Sequence, residues 1–485
     1  MVVGLIGILL GLGTLVWLSF RGWSVLVLAP AAALIAALSA REPLLASWTM
    51  TFMGSAAGFI LQFFPLFLLG AVFGKLMDDS GSVTAIARFM TEKLGPRRAI
   101  LAVVLAGALV TYGGVSLFVA FFVLAPMAQA LFRTAAIPNR LMPAAIALGT
   151  STFTMSALPG TPAIQNAIPM PFFGTTPFAA PGLGIIASAI MLAFGLWWLS
   201  RAERSARRAG EGFGGAVAPF DAPVEGPPFR ERATVASGFD PAELSHGHHG
   251  EASPSTLVAA LPLLVVIAVN LLVSLVVLPR LDLSFLHGER WGGASASSVS
   301  GLWSVLVALI LAIATLVLLN RKRLTELRRT VDAGATASVL PVMSVASLVG
   351  FGAVVAAMPA FAMVRDWVLS IGGGPLVSLA LATNILSALT GSASGGLTIA
   401  LDALGGTYMQ LAAETGIAPA LMHRVAVIGA GTLDSLPHNG AVVTLLAVCG
   451  STHKDSYFDI VMVGVVGAML GLVAVIVLGS ALGSF

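Results

Sequence analysis

An all-α polytopic membrane protein built of two inverted repeats is the fold class this sequence predicts, and three observations predict it. Of the 485 residues, 57% are hydrophobic and only 10% are charged, with a mean hydropathy of +0.96, which leaves too little polar surface to wrap a soluble core of this length. Apolar runs near the length that crosses about 30 Å of hydrocarbon recur along the whole chain. Motifs of the first half return in the second. This composition excludes a soluble enzyme, a secreted disulfide scaffold and a nucleic-acid binder, since the net charge of +3 is small and spread over short loops. The one cysteine, Cys449, allows no intrachain disulfide and no cysteine-only metal site.

Taken in order, spans are expected at 2–19, 23–40, 55–77, 140–170, 180–200, 256–278, 301–320, 338–362, 420–450 and 459–482. The first lacks a basic flank and a small-residue cleavage site, so it reads as a retained span rather than a signal peptide. Two more apolar stretches, 97–133 and 372–412, are too long for one crossing and short for two. Each has a Gly/Ser-rich centre, Thr111-Tyr112-Gly113-Gly114-Val115-Ser116 and Thr390-Gly391-Ser392-Ala393-Ser394-Gly395-Gly396. Both read as re-entrant hairpins.

Short cytoplasmic loops carry the Lys/Arg excess. With ten spans and two hairpins, all but five of the 25 basic residues fall on the side of Arg21, Lys75, Arg97, Arg208 and Arg321; the exceptions are Arg41, Arg280, Arg290, Arg365 and Arg424. Both termini are therefore expected outside, and the central loop in the cytoplasm.

Leu141-Met142, Gly149 and Thr152 meet Leu421-Met422, Gly429 and Thr432 at an offset of 280, and Gly70-Ala71-Val72 meets Gly352-Ala353-Val354 at 282. With a two-residue gap, Leu158-Pro159 meets Leu436-Pro437. Matches that keep order and offset over this distance indicate a duplication. Five spans per half is an odd number, so the copies face opposite ways. The expected organisation is a first repeat at 1–201 (hairpin 97–133, broken helix 140–170), a flexible cytoplasmic linker at 202–255, and a second repeat at 256–485 (hairpin 372–412, broken helix 420–450). The linker is rich in Pro, Gly and charge. Its His246, His248 and His249 lack an acidic or cysteine partner at ligand spacing, so it reads as solvated chain rather than a metal site.

The chemistry is expected where helices cannot be continuous. Residues 149–162 interrupt an apolar span with two prolines, two glycines and six hydroxyl side chains; residues 429–440 do the same in the second half around Pro437. Proline removes an amide donor and clashes with the preceding turn, and backbone groups freed by the break cannot face lipid. They must meet protein, water or a ligand. Half-helix N-termini offer free N–H groups and the positive end of a dipole, which suits an anion. No Lys or Arg is placed at membrane depth near the breaks, Arg140 and Arg424 being read as the starts of their spans. The candidate binding residues are Tyr112, Gly113, Gly114 and Ser116 at one hairpin tip and Ser392, Ser394 and Gly395 at the other. To these the breaks add Ser151, Thr152, Thr154, Gly160, Thr161, Gln165 and Asn166, and Gly431, Thr432, Ser435, His438 and Asn439.

Ionisable residues inside a bilayer are costly and so are functional suspects. Asp434 in the second break, His438 one turn on and Asp402 on the second hairpin are the candidates for proton coupling. For Asp434 a proton carrier, a helix cap and a substrate contact all remain open. Glu414, Asp455 and Asp459 are read as ordinary interfacial residues.

Residues 152–166, with Asp434-Ser435-Leu436-Pro437-His438-Asn439-Gly440 and Leu69-Gly70-Ala71-Val72-Phe73-Gly74-Lys75-Leu76-Met77, resemble the gluconate permease (GntP) family of proton symporters over nearly the whole chain outside the linker. The resemblance implies the wider ion-transporter superfamily architecture: a scaffold domain, an elevator-type transport domain of hairpins and broken helices, and a homodimer. It also implies a bacterial cytoplasmic (inner) membrane location and import of a small organic anion, a gluconate-like sugar acid or a short hydroxy acid such as hydroxybutyrate, together with a proton. Sodium-coupled members of the superfamily carry Ser-Asn-Thr at the hairpin tips; here the tips read Gly113-Gly114-Val115-Ser116 and Ser392-Ala393-Ser394-Gly395. A sodium-coupled carboxylate carrier is the alternative, and a membrane-embedded enzyme or channel a further one. No motif sets nucleophile, base and orienting residue together, and no cofactor is expected.

Overall fold

The computed structural model describes residues 2–20, 23–213, 254–291, 295–437 and 439–485, and within these the ordered elements are all helical. Among the described residues, six helices are long and apolar enough to cross a membrane: Leu44–Asp79, Pro181–Arg208, Thr256–Arg280, Val299–Leu319, Leu327–Ala357 and His453–Leu482. The pair Ser82–Leu94 and Pro96–Tyr112, bent by 101°, makes a seventh if taken as one span. The first two expected spans are the helices Val2–Phe20 and Val25–Ala40; their apolar portions, Val2–Leu15 and Val25–Ala40, are shorter than the six. The His246, His248 and His249 cluster and His438 lie outside the described residues.

Helix ends depart from the hydropathy pattern where polar residues find local partners. The span expected at 55–77 begins eleven residues earlier, at Leu44. Thr49 within the added stretch donates its hydroxyl to the Leu45 carbonyl at 2.7 Å, so its polarity is internally satisfied. The span expected at 338–362 is preceded by the charged helix Leu327–Ala337. It is held at Thr330, whose hydroxyl donates to Asp79 Oδ2 at 2.7 Å. Asp79 also pairs through Oδ1 with Lys75 Nζ at 3.0 Å, and both side chains are almost fully buried. Lys75, expected among the loop charges, is thus inside the protein. Asp459 is no ordinary interfacial residue either: it accepts from Arg140 Nη1 and Trp198 Nε1, each at 2.9 Å, and so ties the start of the first interrupted helix to two others.

The chain passes twice through one succession of elements. Two apolar helices come first, then a long helix, a short one, two helices joined at a glycine turn, an interrupted helix and a final long helix. The long helices Met53–Asp79 and Val339–Ala357 pack on each other. Val25–Ala40 packs on the second of them, and Ala296–Leu319 on the first. Each half thereby contributes its second helix to the other half's long helix.

The glycine-turn pairs are Ala99–Tyr112 with Leu117–Thr134, and Gly374–Thr390 with Ala393–Thr415. In both halves the first arm crosses the interrupted helix at a glycine. A Cβ on Gly149 would lie 2.4 Å from the Val104 carbonyl oxygen, and one on Gly429 would lie 2.4 Å from Thr383 Oγ1. These are the two glycines matched by the sequence offset, and the approach leaves no room for a methyl group.

Candidate functional site

The first interrupted helix runs as Met142–Thr150, then the single turn Phe153–Ser156, an irregular stretch through Ala163, and the short helices Ile164–Ala167 and Pro169–Phe173. Its hydroxyl groups serve mainly to hold this shape. Thr150, Thr152, Thr154 and Ser156 donate to the carbonyls of Ile146, Leu148, Thr150 and Thr152, at 2.8, 2.7, 3.2 and 3.1 Å. Each bonds four residues back, as hydroxyls in apolar helices do. Ser151 Oγ lies 3.1 Å from Thr150 Oγ1. Thr161 Oγ1 accepts the Ala163 amide, and Tyr112 reaches across from the first hairpin to donate to the Pro159 carbonyl at 2.7 Å. Gly160 has φ +81°, a left-handed conformation for which glycine is suited, and gives its N–H to the Pro177 carbonyl.

The second interrupted helix runs as Pro419–Thr432 and Gly440–Val448. Thr432, like its mate Thr152, bonds back, to the Ile428 carbonyl at 2.7 Å. Asn439 is the N-cap of the second piece, its Oδ1 accepting the Ala441 and Val442 amides. Its Nδ2 donates to the Gly391 carbonyl and to Asp434 Oδ1, each at 2.8 Å. Asp434 Oδ1 also accepts the Ala393 amide at 2.7 Å. Asp434 therefore caps the second arm of the neighbouring hairpin, while Asn439 caps the helix that follows the break. Ser392 completes the cap, its Oγ accepting the Gly395 amide at 3.1 Å.

Both hairpin turns and both breaks meet at one cavity of about 200 Å³. The first hairpin contributes Gly114, Val115 and Ser116, and the first break Met155 and residues 162–165. The second hairpin contributes residues 391–394, and the second break Asp434 and Asn439. The long helices close it with Leu66, Phe67, Gly70 and Ala71 on one side and Ala337, Ser338 and Pro341 on the other. Among the described residues, Asp434 is the one acidic residue on this wall. Gln165 Oε1 is buried there without a hydrogen-bond partner, which leaves a strong acceptor for a ligand hydroxyl or water.

Of the residues singled out from sequence, Gly114, Ser116, Gln165, Ser392, Ser394, Asp434 and Asn439 are on the wall. Tyr112, Gly113, Ser151, Thr152, Thr154, Gly160, Thr161, Asn166, Gly395, Gly431, Thr432 and Ser435 lie behind it, within the break and hairpin scaffolding. Thr154 is bonded to Thr111 of the hairpin at 3.3 Å. A Cβ on Gly431 would meet Ser156 Cβ at 3.0 Å, so the two breaks touch there. The Ser435 carbonyl accepts from the Tyr457 hydroxyl at 3.2 Å. Asp402 is exposed on the second hairpin and is not on the wall.

The reading that no basic group reaches the breaks is overturned. Arg424 is 0% exposed. Its Nε and Nη2 donate to the Ala179 carbonyl at 3.1 and 2.7 Å, and its Nη1 to the Ser156 carbonyl at 3.3 Å and Asn166 Oδ1 at 3.4 Å. The break supplies one of these acceptors, the Ser156 carbonyl, which an intact helix would have consumed. The loop at 174–180 folds over the start of the second interrupted helix and brings Ala179 to it. His423, equally buried, joins the same web through Thr175 Oγ1 at 2.6 Å and Asn166 Oδ1 at 3.2 Å.

Comparison with known proteins fits this arrangement. Residues 1–172 match the family described as GntP family permease. The chain is 41% identical over 463 residues to a Bacillus subtilis (strain 168) protein named "Uncharacterized transporter YxjC", covering 94% of each. It is 36% identical over 104 residues, 21% of this chain and 23% of the other, to the high-affinity gluconate transporter of Escherichia coli (strain K12). Among solved structures, the YdaH transporter of Alcanivorax borkumensis superposes with a TM-score of 0.53 at 17% identity, over 90% of this chain and 87% of that one. MtrF of Neisseria gonorrhoeae does so with a TM-score of 0.52 at 15% identity, over 90% and 83%. These two show a shared transporter fold. With the near full-length relative and the family match together, the chain belongs to the GntP permease family of membrane transporters.

Proposed function

We propose that this transporter imports a small organic anion, a gluconate-like sugar acid or a short hydroxy acid such as hydroxybutyrate, by proton symport. The observation that carries the reading is the position of Asp434, whose carboxylate occupies the N-terminus of the second hairpin arm at the wall of the cavity. A helix N-terminus is where an anion binds well, and here the protein has put its own carboxylate there. Protonation removes that charge, and a substrate carboxylate takes over the favourable position; the proton and the anion then load together. The hydroxyls of a sugar acid find Gln165 Oε1 and Asn439 on the same wall.

In this reading residues 1–201 and 256–485 are inverted repeats, and the two hairpins are re-entrant. They and the interrupted helices form a transport domain that moves, elevator fashion, against a scaffold containing the long helices. The carrier works as a homodimer in the bacterial cytoplasmic membrane, with both termini outside and the linker at 202–255 in the cytoplasm. The name of the E. coli relative supports the substrate class.

Purified protein in proteoliposomes should accumulate labelled gluconate or 3-hydroxybutyrate when an inward proton gradient is imposed, and a protonophore should abolish the accumulation. Accumulation that follows a sodium gradient and ignores the protonophore would overturn proton symport.

A further inference from the structure

The buried guanidinium of Arg424 has no acidic partner: its four hydrogen bonds run to two backbone carbonyls and one amide oxygen, and no carboxylate among the described residues lies within ion-pair distance of it. An arginine keeps its proton in proteins, so the group is a whole positive charge solvated by dipoles alone. Carbonyl dipoles stabilise the cation without cancelling its charge, and in a medium of low dielectric that charge acts over several ångströms.

Its position behind the cavity follows from its partners. Ser156 and Asn166, which hold the guanidinium, are the chain neighbours of Met155 and Gln165, which line the cavity. Arg424 itself is not on the wall. The uncompensated cation is thus held by residues next in the chain to the wall of the cavity, on which Asp434 is the sole acidic side chain among the described residues.

We propose that Arg424 is the fixed counter-charge of the site and restricts it to monovalent carboxylates, acting through the wall rather than by contact. The inference rests on the proposed anion transport and deepens it. With Asp434 ionised and the cavity empty, the site holds one positive and one negative charge. With Asp434 protonated and a monoanion bound, it again holds one of each. Proton and monocarboxylate thus load together at constant site charge. A dicarboxylate loaded with the proton leaves one negative charge in excess, and a neutral analogue loaded with the proton leaves the guanidinium uncompensated; both loaded states are disfavoured.

Three ligands on one carbon skeleton test this by thermal stabilisation and competition in detergent: gluconate, its dianionic relative glucarate and uncharged gluconamide. The pair 3-hydroxybutyrate and 3-hydroxybutanamide extends the panel to short acids. Wild type should prefer the monoanion. Arg424→Gln should cut the preference for gluconate over gluconamide by about tenfold or more, and Arg424→Lys should retain it. Asn166→Asp provides a second route, because it sets a carboxylate beside the guanidinium without removing the arginine; it also gives up the Asn166 amide donations to the Thr161 and Pro177 carbonyls, so the readout is the ratio between charged and neutral ligands, which should fall as in Arg424→Gln. This variant keeps the idea falsifiable if Arg424→Gln does not fold. A purely structural role for Arg424 would lower affinity for charged and neutral ligands alike and leave their ratio unchanged, which would overturn the proposal. Wild type that binds none of the carboxylates would instead remove the transport reading on which it stands.

Discussion

At the scale of single residues, Asp434 and Arg424, to which the proposed transport gives its chemistry, are unequally visible in the sequence. Asp434 stands out as the one acid in either break, and it lies on the cavity wall. Its cap geometry allows a clean test, because Asn in its place still offers one oxygen to the Ala393 amide and the Asn439 side chain while removing the charge and turning the second oxygen into an NH2 donor. If Asp434 carries the proton, Asp434→Asn should exchange labelled substrate down its gradient but fail to accumulate it against one, measured in proteoliposomes with and without a protonophore. Gradient-driven accumulation at wild-type level would return the residue to a capping role alone. Arg424 escapes notice because it lies five residues past Pro419, where a linear count of hydropathy places the membrane surface. What buries it is a loop more than 240 residues away in sequence, and a one-dimensional pattern has no access to that fold-over. The available signal is the isolation of a lone arginine in a span whose only other charged side chain is Asp434. The hydroxyls of Thr152 and Thr432 show the converse error: side chains that look free in a broken helix have partners four residues back.

At the scale of elements, the breaks and hairpins are legible because proline and glycine act locally, through a missing amide and a missing Cβ. The amphipathic helices Ser82–Leu94 and Leu327–Ala337 are not, since they lack an apolar run and owe their placement to contacts such as Thr330 with Asp79. The matched glycines Gly149 and Gly429 give the element-level prediction. A methyl group on Gly149 would press on backbone, 2.4 Å from the Val104 oxygen and 3.0 Å from its carbonyl carbon, with nothing flexible to yield. Gly149→Ala should therefore destabilise the purified protein by about 1–3 kcal/mol, as overpacking does. A methyl group on Gly54 would meet no neighbour within 4 Å, so Gly54→Ala should leave the unfolding temperature within experimental error. Equal melting temperatures for both variants in a detergent thermal scan would refute the close crossing of hairpin arm and interrupted helix.

For the whole molecule, the repeated order of elements and the reciprocal packing of each half's second helix on the other half's long helix support a duplication, and the number of crossings per half decides how its copies are oriented. Thr256–Arg280 is a helix of 25 residues with no proline-induced gap. At 1.5 Å per residue it extends for about 37 Å, enough to cross about 30 Å of hydrocarbon once. Ser205 lies near the end of Pro181–Arg208, just before the linker, and Ser295 lies beyond Arg280; both are exposed. The linker joins two spans without an apolar run of its own, so its two ends are expected on one face of the membrane and a single crossing is expected between Ser205 and Ser295. By the positive-inside rule, the basic residues clustered from Arg201 to Arg208 predict that the linker's face is the cytoplasmic one. In a Cys449→Ser background, which removes the only native thiol, Ser205→Cys should react with a membrane-impermeant maleimide only in inside-out vesicles, and Ser295→Cys only in intact cells or right-side-out vesicles. Reaction of both from one side would mean an even number of crossings between them, and two copies with unequal parity could not be related by inversion.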